Sequence, residues 1–270
     1  EGFAFSAPPS APPPSPPPPN PPPAYAFTTK TSLKAAVNEY TANPGAATAT
    51  YGPISGWNVA EVTDMGSLFW IKPEFNEDLN GWDVSKVTDL NSMFYANYKF
   101  NQDLNAWDVS SATAINQMFY NNQESNHPIN AWDVSSVTTF SWVFGQNRKF
   151  NQPLHDWDVS KGGSFHAMFA GAAEFNQPLS SWQTTSMTDM SYMLQNAADF
   201  DQDLTSWGPV ASCAGAFVDS GISAAHVPSG CVAPSGRRLA EAAPAAPPPP
   251  PLHLTVAGYA QSGPDIYGTE

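Results

Sequence analysis

The chain has 270 residues and carries 24 acidic against 10 basic side chains, which gives a formal net charge of −14. Nucleic acids and anionic membranes both require a basic face, so this balance argues against either as a partner. No apolar run approaches the roughly 18–20 residues of a membrane-crossing helix, so no transmembrane segment is predicted.

Both ends of the chain are rich in proline. Residues 7–23 and 242–251 contain almost only Pro, Ala and Ser. Because proline fixes φ and lacks a backbone donor, we predict an extended Pro-rich segment over 1–27 and a Pro-rich linker and tail over 236–270. The sequence begins at Glu1 rather than Met, as expected of a processed product or a piece of a longer chain.

The first helical pattern follows the proline-rich start. Residues 31–40 read TSLKAAVNEY, with apolar side chains spaced by three and four. This spacing places them on one stripe, which predicts an amphipathic helix.

Tryptophan then recurs at a fixed interval of 25 residues. The seven positions are Trp57, Trp82, Trp107, Trp132, Trp157, Trp182 and Trp207. Phenylalanine keeps the same interval at Phe75, Phe100, Phe150, Phe175 and Phe200. The single gap in that series is filled by Ser125. A period of this length predicts a repeat architecture, which we assign to residues 57–207.

Each unit contains two apolar patterns. Trp107-x-Val109 has the period of two that is typical of a strand with one buried face. Met65, Leu68 and Phe69 are spaced by three and four, which predicts a short helix, with a threonine before it as N-cap. The fold predicted from these patterns is an α/β repeat solenoid, leucine-rich-repeat-like, with six to seven strand–short helix units.

The repeated motif is F-N-Q-[DP]-L-x-x-W-D-V-S-x-V-T-x-M-x-x-M-F, and it covers roughly residues 29–210. It resembles the BspA-type leucine-rich-repeat family of surface proteins. The resemblance implies an N-terminal cap over 28–56, a surface-exposed and in some members adhesive protein, and no catalytic residues. A second segment, SPPPP at 15–19, is similar to the glycosylated unit of hydroxyproline-rich wall glycoproteins; a plain stiff spacer is the alternative.

The repeat pattern breaks after Trp207, where the sequence predicts a C-terminal cap over 208–235. The chain has two cysteines, Cys213 and Cys231, and both lie in this cap. In an acidic, Pro-rich chain they predict one disulfide formed in an oxidising compartment, with two free thiols as the alternative.

Two polar columns accompany the repeats. An aspartate lies between the tryptophan and the valine, outward on the predicted strand, at Asp83, Asp108, Asp133 and Asp158. Each carboxylate caps its own turn in the favoured interpretation, while Ca²⁺ binding by the column is the alternative. An asparagine follows the phenylalanine position at Asn76, Asn101, Asn126, Asn151 and Asn176. We interpret these as a buried structural ladder that satisfies loop backbone groups.

The sequence contains no Ser-His-Asp, Cys-His or metal-ligand spacing, so no enzyme and no cofactor is predicted. We predict an extracellular or cell-surface repeat protein that acts in adhesion or in protein or glycan binding. The alternatives are a structural subunit of an extracellular filament or wall and, disfavoured, a carbohydrate-active enzyme. The aspartate column is the predicted contact face, and the opposite side carries residues that vary between units, such as Tyr95, Tyr98 and Tyr120.

Overall fold

The computed structural model describes residues 25–233. Of the predicted proline-rich segments, residues 1–24, including SPPPP at 15–19, and the tail over 236–270 lie outside this range. Residues 25–27 lie within it, and there Phe27 is buried and its N–H donates to Asn58 O at 2.8 Å. The helices are α1 (Lys30–Ala42) and α2 (Pro44–Tyr51), with single 3-10 turns at Ile54–Gly56 and Ala224–His226. Within residues 25–233 no helix has the length and apolarity needed to cross a membrane.

Helix α1 covers the predicted amphipathic stretch 31–40 and lies against the first repeat unit. Its N-cap is Thr29, whose hydroxyl accepts the Ser32 N–H. Lys34 Nζ donates to the main-chain oxygens of Ser67 and Leu68, and burial lowers the pKa of Lys34 to about 8. The Leu68 carbonyl belongs to the first unit, which has no preceding unit to donate to it, so a side chain of α1 supplies the donor at that end.

The prediction of an α/β leucine-rich-repeat solenoid is wrong. Between residues 25 and 233 the structure contains no β-strand, and its α-helices are the two that precede the repeats. Pairing between units is reduced to isolated parallel bridges, such as those that join Asp64 to Asp89 and Asp89 to Ala114. After Trp107 the backbone turns at once, because the Ala112 N–H donates to the Val109 oxygen instead of to a neighbouring chain. The buried Trp-x-Val step is therefore real, but no strand underlies it.

The predicted short helix is a row of overlapping turns. Leu68 N–H donates to Met65 O, three residues back, and Ser67 and Ile71 have φ of 58° and 51°. A residue with positive φ interrupts an α-helix, and for a β-branched side chain such as Ile71 this conformation is costly. The spacing of three and four is produced by these turns, so it led to the wrong element. The threonines predicted as N-caps bond instead between units, as when Thr88 donates to Thr63 O.

Backbone hydrogen bonds between successive units hold these turns in place. The N–H groups of Met65, Ser67, Phe69 and Ile71 donate to carbonyls of the next unit, 24 residues on, at 2.8–2.9 Å. The same pattern returns in the later units, for example from Phe144 to Met168 and from Leu194 to Ala216. Each unit thus satisfies its backbone by means of its neighbour, as buried polar groups require.

The core consists of columns of identical side chains. The seven periodic tryptophans are buried, and each indole Nε1–H donates to a main-chain oxygen; from Trp82 onward the acceptor lies 28 residues back, as in Trp107 to Leu79 O at 3.0 Å. A phenylalanine column stacks at 5.4–5.9 Å between ring centroids through Phe69, Phe94, Phe119, Phe144 and Phe169. Helix α1 covers the first end of this core with Tyr40, which meets Trp57 edge to face.

Exposed ion pairs also join neighbouring units. Lys99 pairs with Glu74, and Lys149 pairs with Glu124, across the same 25-residue step. Exposed pairs of this kind contribute little to stability, because water and salt screen them.

The last unit ends in the segment predicted as the C-terminal cap. Phe217 and Ile222 are buried there, and the Cys213–Cys231 disulfide is formed. The bond closes the chain across the end of the core, where terminal units of repeat proteins depart from the consensus.

Candidate functional site

The predicted aspartate column lies exposed along the turns that follow the tryptophans. Asp83, Asp108, Asp133 and Asp158 each accept the backbone N–H of the serine two residues later, at 3.0–3.1 Å. Asp83 and Asp108 also accept the serine hydroxyl at 2.6 Å. Each carboxylate therefore supports its own turn. A role for the column in binding is a separate question and stays a prediction.

Local hydrogen bonds lower the pKa of three carboxylates of this column. The Ser85, Ser135 and Ser160 hydroxyls, followed by their N–H groups, lower the pKa of Asp83, Asp133 and Asp158 respectively. Among the described residues no group of three or more His, Cys, Asp or Glu side chains is arranged to hold a metal ion. In this range the four predicted aspartates are thus spaced along the units rather than gathered in one cluster.

The asparagine ladder predicted at Asn76, Asn101, Asn126, Asn151 and Asn176 forms, but it is exposed or half-buried rather than buried. In every step a side-chain Oδ1 accepts the N–H of the corresponding residue one unit later, at 2.8–3.1 Å. The neighbouring glutamine adds a second bond in most units, such as Gln177 Nε2 to Asn151 Oδ1 at 3.0 Å. The ladder ends at Asp201, which accepts the Ser223 N–H of the cap.

Replacing Asn151 by alanine should lower the free energy of unfolding by about 1–2 kcal/mol, because two donors lose their acceptor. Asn151→Asp keeps the accepting oxygen and should change stability by less than about 0.5 kcal/mol. Asp201 already occupies this place in the last unit, which supports the second expectation. Urea unfolding of both variants checks this, and equal losses would contradict the accepting role.

A buried asparagine column exists at another position, which sequence reasoning missed. Asn97, Asn122 and Asn147 are fully buried. With its amide nitrogen turned toward the core, Asn122 donates to the main-chain oxygens of Asn97 and Phe100, and Asn147 repeats the arrangement one unit later. Their 25-residue spacing was the available signal, and it was overlooked because the neighbouring columns are longer.

In the unit that lacks the periodic phenylalanine, a histidine side chain occupies the space of the missing ring. Ser125 replaces the phenylalanine, and the ring of His127 lies 5.8 Å from Phe119 and 6.1 Å from Phe100, edge-on to both. His127 is 6 % exposed, neither ring nitrogen has a hydrogen-bond partner within residues 25–233, and burial lowers its pKa to about 4. Four of the other units carry glutamine at this position and the first carries Glu77, so the pair Ser125–His127 substitutes for the consensus Phe and Gln.

The variable side of the units carries a continuous row of surface rings, which we call the aromatic strip. Its members are Trp70, Tyr95, Tyr120, Trp142, His166 and Tyr192, one from each of six successive units. Successive ring centroids are 6.2, 4.8, 5.5, 5.8 and 5.7 Å apart. Trp70 and Tyr192, at the two ends, are each 42 % exposed, and the four rings between them are half-buried.

The strip changes column in its middle, and glycine makes room for the change. Trp70, Tyr95 and Tyr120 stand at one repeat position, where the fourth unit has Gly145. A Cβ at Gly145 would lie 2.7 Å from the Trp142 ring and 2.9 Å from the Tyr120 ring. The missing side chain lets Trp142, from three residues earlier, continue the row. Gly215 similarly leaves space for the ring of Tyr192.

Polar groups on the strip have no hydrogen-bond partner in the part of the chain that the structure describes. Unlike the seven core indoles, the indole N–H groups of Trp70 and Trp142 make no hydrogen bond within residues 25–233, and neither do the hydroxyls of Tyr95, Tyr120 and Tyr192. Burial raises the pKa of Tyr95 and of Tyr120, so both hydroxyls remain protonated donors at neutral pH. The strip therefore combines apolar rings with available donors, as binding surfaces commonly do.

Comparison with known proteins gives one family. A family model described as "Mycoplasma protein of unknown function, DUF285" matches residues 31–144 and again residues 113–220. No curated protein and no solved structure matches the chain. The matched residues include the N-terminal helices and most of the repeat units, and they exclude SPPPP at 15–19.

Proposed function

Because the chain belongs to the DUF285 family, a repeat family related to the BspA-like surface repeat proteins, we propose that it is a non-enzymatic surface or extracellular protein that acts in adhesion. The Cys213–Cys231 disulfide supports this location, since such bonds persist in oxidising compartments. The proposal assigns no cofactor to the chain.

The observation that carries the adhesive role is the aromatic strip. Six rings in contact, from Trp70 to Tyr192, lie on one side of units that are fixed to each other by backbone hydrogen bonds. An extended row of this kind offers many small contacts to a partner that is longer than one unit. Aromatic side chains contribute contact area at a small cost in side-chain entropy.

Adhesion is tested with beads that carry the full chain and are washed over immobilised cell-surface material. We expect these beads to be retained, while beads that carry the urea-unfolded, reduced chain are washed away. Equal loss of both bead types would contradict adhesion and would favour the alternative of a structural subunit in an extracellular assembly.

The same assay decides whether the aspartate column is a contact face. Changing Asp108 and Asp133 together to Asn retains an accepting oxygen for Ser110 and Ser135, so stability should change by less than about 0.5 kcal/mol. If the column binds a cationic partner, retention of the beads and its dependence on salt should both fall. Unchanged retention by the folded variant would limit the column to its role in the turns.

A further inference from the structure

The aromatic strip carries little charge although the chain around it is acidic. A carboxylate oxygen of Asp189 lies 3.7 Å from His166 Nδ1. The same units also supply the amides of Asn91, Asn116 and Gln117 and the hydroxyl of Ser92. The protein as a whole carries a formal charge of −14. A neutral aromatic and amide surface in such a protein is complementary to a partner without charge.

We propose that the aromatic strip binds a neutral, extended polysaccharide. This inference rests on the adhesive function proposed above and names its site and its class of ligand. The contact runs along the strip from Trp70 to Tyr192, so that several successive sugars are held by several successive units.

The spacing of the rings is consistent with a ligand built from identical repeating units. Neighbouring rings are 4.8–6.2 Å apart along the strip, a step comparable to the length of one pyranose unit in an extended chain. The apolar C–H faces of pyranose rings pack on aromatic side chains. Each added unit can therefore meet an equivalent part of the ligand, and weak contacts accumulate along the chain of sugars.

The polar groups near the strip are suited to hydrogen bonds with the hydroxyl groups of a ligand. Asn91 and Asn116 use Oδ1 to accept the N–H of Asn116 and of Ser141 in the next unit, at 2.8 and 3.0 Å. Ser92 donates to Gln117 Oε1 at 3.1 Å, which leaves the Gln117 amide nitrogen as a donor. The strip thus presents amide donors together with tyrosine hydroxyls, which donate and accept. Sugar hydroxyls also do both, so they match this mixture.

A polyproline peptide fits the same surface less well. Aromatic grooves also bind proline-rich segments, and this chain contains such segments at both ends. Consecutive prolines, however, offer carbonyl acceptors and no N–H donors. The tyrosine hydroxyl oxygens would then receive no donor from the peptide, whereas a sugar hydroxyl can supply one.

The test is native affinity electrophoresis of the full chain in gels that contain hydroxyethylcellulose, mannan or mixed-linkage β-glucan. We expect retardation in at least one of these neutral polysaccharides, unaffected by salt because no ion pairs form. Tyr120→Ala combined with Trp142→Ala should weaken the apparent Kd by about tenfold or more. Tyr192→Ala, at the exposed end of the strip, provides a second variant with less effect on the fold.

Tyr98→Ala is the matched control, because Tyr98 is also 42 % exposed but stands outside the strip. It should migrate as the unmodified chain does. The proposal is overturned if none of the three gels retards the chain, or if the folded strip variants are retarded as strongly as the unmodified chain. It is also overturned if the chain binds dextran sulfate but no neutral polysaccharide, or if a proline decapeptide is the sole ligand. If beads are still retained on cell-surface material after any of these results, adhesion remains supported. Only the assignment of a polysaccharide ligand is then wrong.

Discussion

Replacing Trp107 by alanine is expected to lower the free energy of unfolding by about 3–5 kcal/mol. The indole is 3 % exposed in a central unit and lies in the column of tryptophans that runs through the core. Its loss leaves a cavity between two units and leaves the Leu79 oxygen without the indole N–H, now 3.0 Å away. Urea unfolding followed by far-UV circular dichroism measures the change.

Two further variants separate the effect of lost side-chain volume from the effect of the lost hydrogen bond. Trp107→Phe retains most of the ring and removes the donor, so a smaller loss of about 1–3 kcal/mol is expected. Trp70→Ala removes an indole that is 42 % exposed and has no hydrogen-bond partner in the described part of the chain. This change should lower the free energy of unfolding by less than about 1 kcal/mol. A cost below about 1 kcal/mol for Trp107→Ala would contradict the packing described for the core.

Acidification should destabilise the protein through His127 before it affects the carboxylates. The pKa of His127 is lowered from 6.5 to about 4 by burial, so the folded state holds the neutral ring. Its contribution is fully present above pH 6.5, and it is lost as pH falls toward 4 because the unfolded chain binds a proton that the folded chain does not. The expected loss is about 1.4 kcal/mol per pH unit and about 3 kcal/mol in all, measured by urea unfolding at a series of pH values.

The consensus unit supplies the matched control for this pH dependence. In the double variant Ser125→Phe and His127→Gln, the phenylalanine takes the space of the imidazole, and the glutamine can donate to Asn101 as Gln152 does to Asn126. This variant should be as stable as the unmodified chain at neutral pH and should not respond between pH 6.5 and 4.5.

The two single changes should each be destabilising, because one crowds the imidazole and the other leaves its space empty. Their effects should therefore not add, with a coupling of about 1–3 kcal/mol. Additive effects, or an unchanged pH dependence in the double variant, would contradict the account of this unit.

The sequence alone predicted the period, the buried apolar positions of the repeats and α1, because burial and helix capping are encoded in side-chain type and spacing. It did not predict the backbone of the repeats. Spacing reports which side chains share a face, whereas it does not report where an N–H finds its acceptor. From Met65 to Ile71 every second N–H has its acceptor in the next unit, and the positive-φ positions carry residues such as Ile71 and Trp142 that mark no turn.

The candidate site was predictable in part. The tyrosines at 95 and 120 were visible as variable surface residues, but the row continues through Trp142 and His166, which stand at other repeat positions. The contact of Trp142 with Tyr120 depends on the absence of a side chain at Gly145, a relation that is evident only in three dimensions. Likewise, the substitution of His127 for a phenylalanine two residues earlier needs the geometry of the core to be recognised.

The exposed ion pairs between units favour pairing of each unit with its neighbour in the sequence. Along this one position the chain reads Glu74, Lys99, Glu124, Lys149 and Glu174, so the sign of the charge alternates. Units that resemble each other closely could pair after one of them is looped out of the stack, since their apolar columns would still match. Such a skipped unit would place Glu74 beside Glu124, or Lys99 beside Lys149, and like charges directly opposite each other repel. Pairs that add little to stability thus help each unit to distinguish its proper neighbour from the next copy.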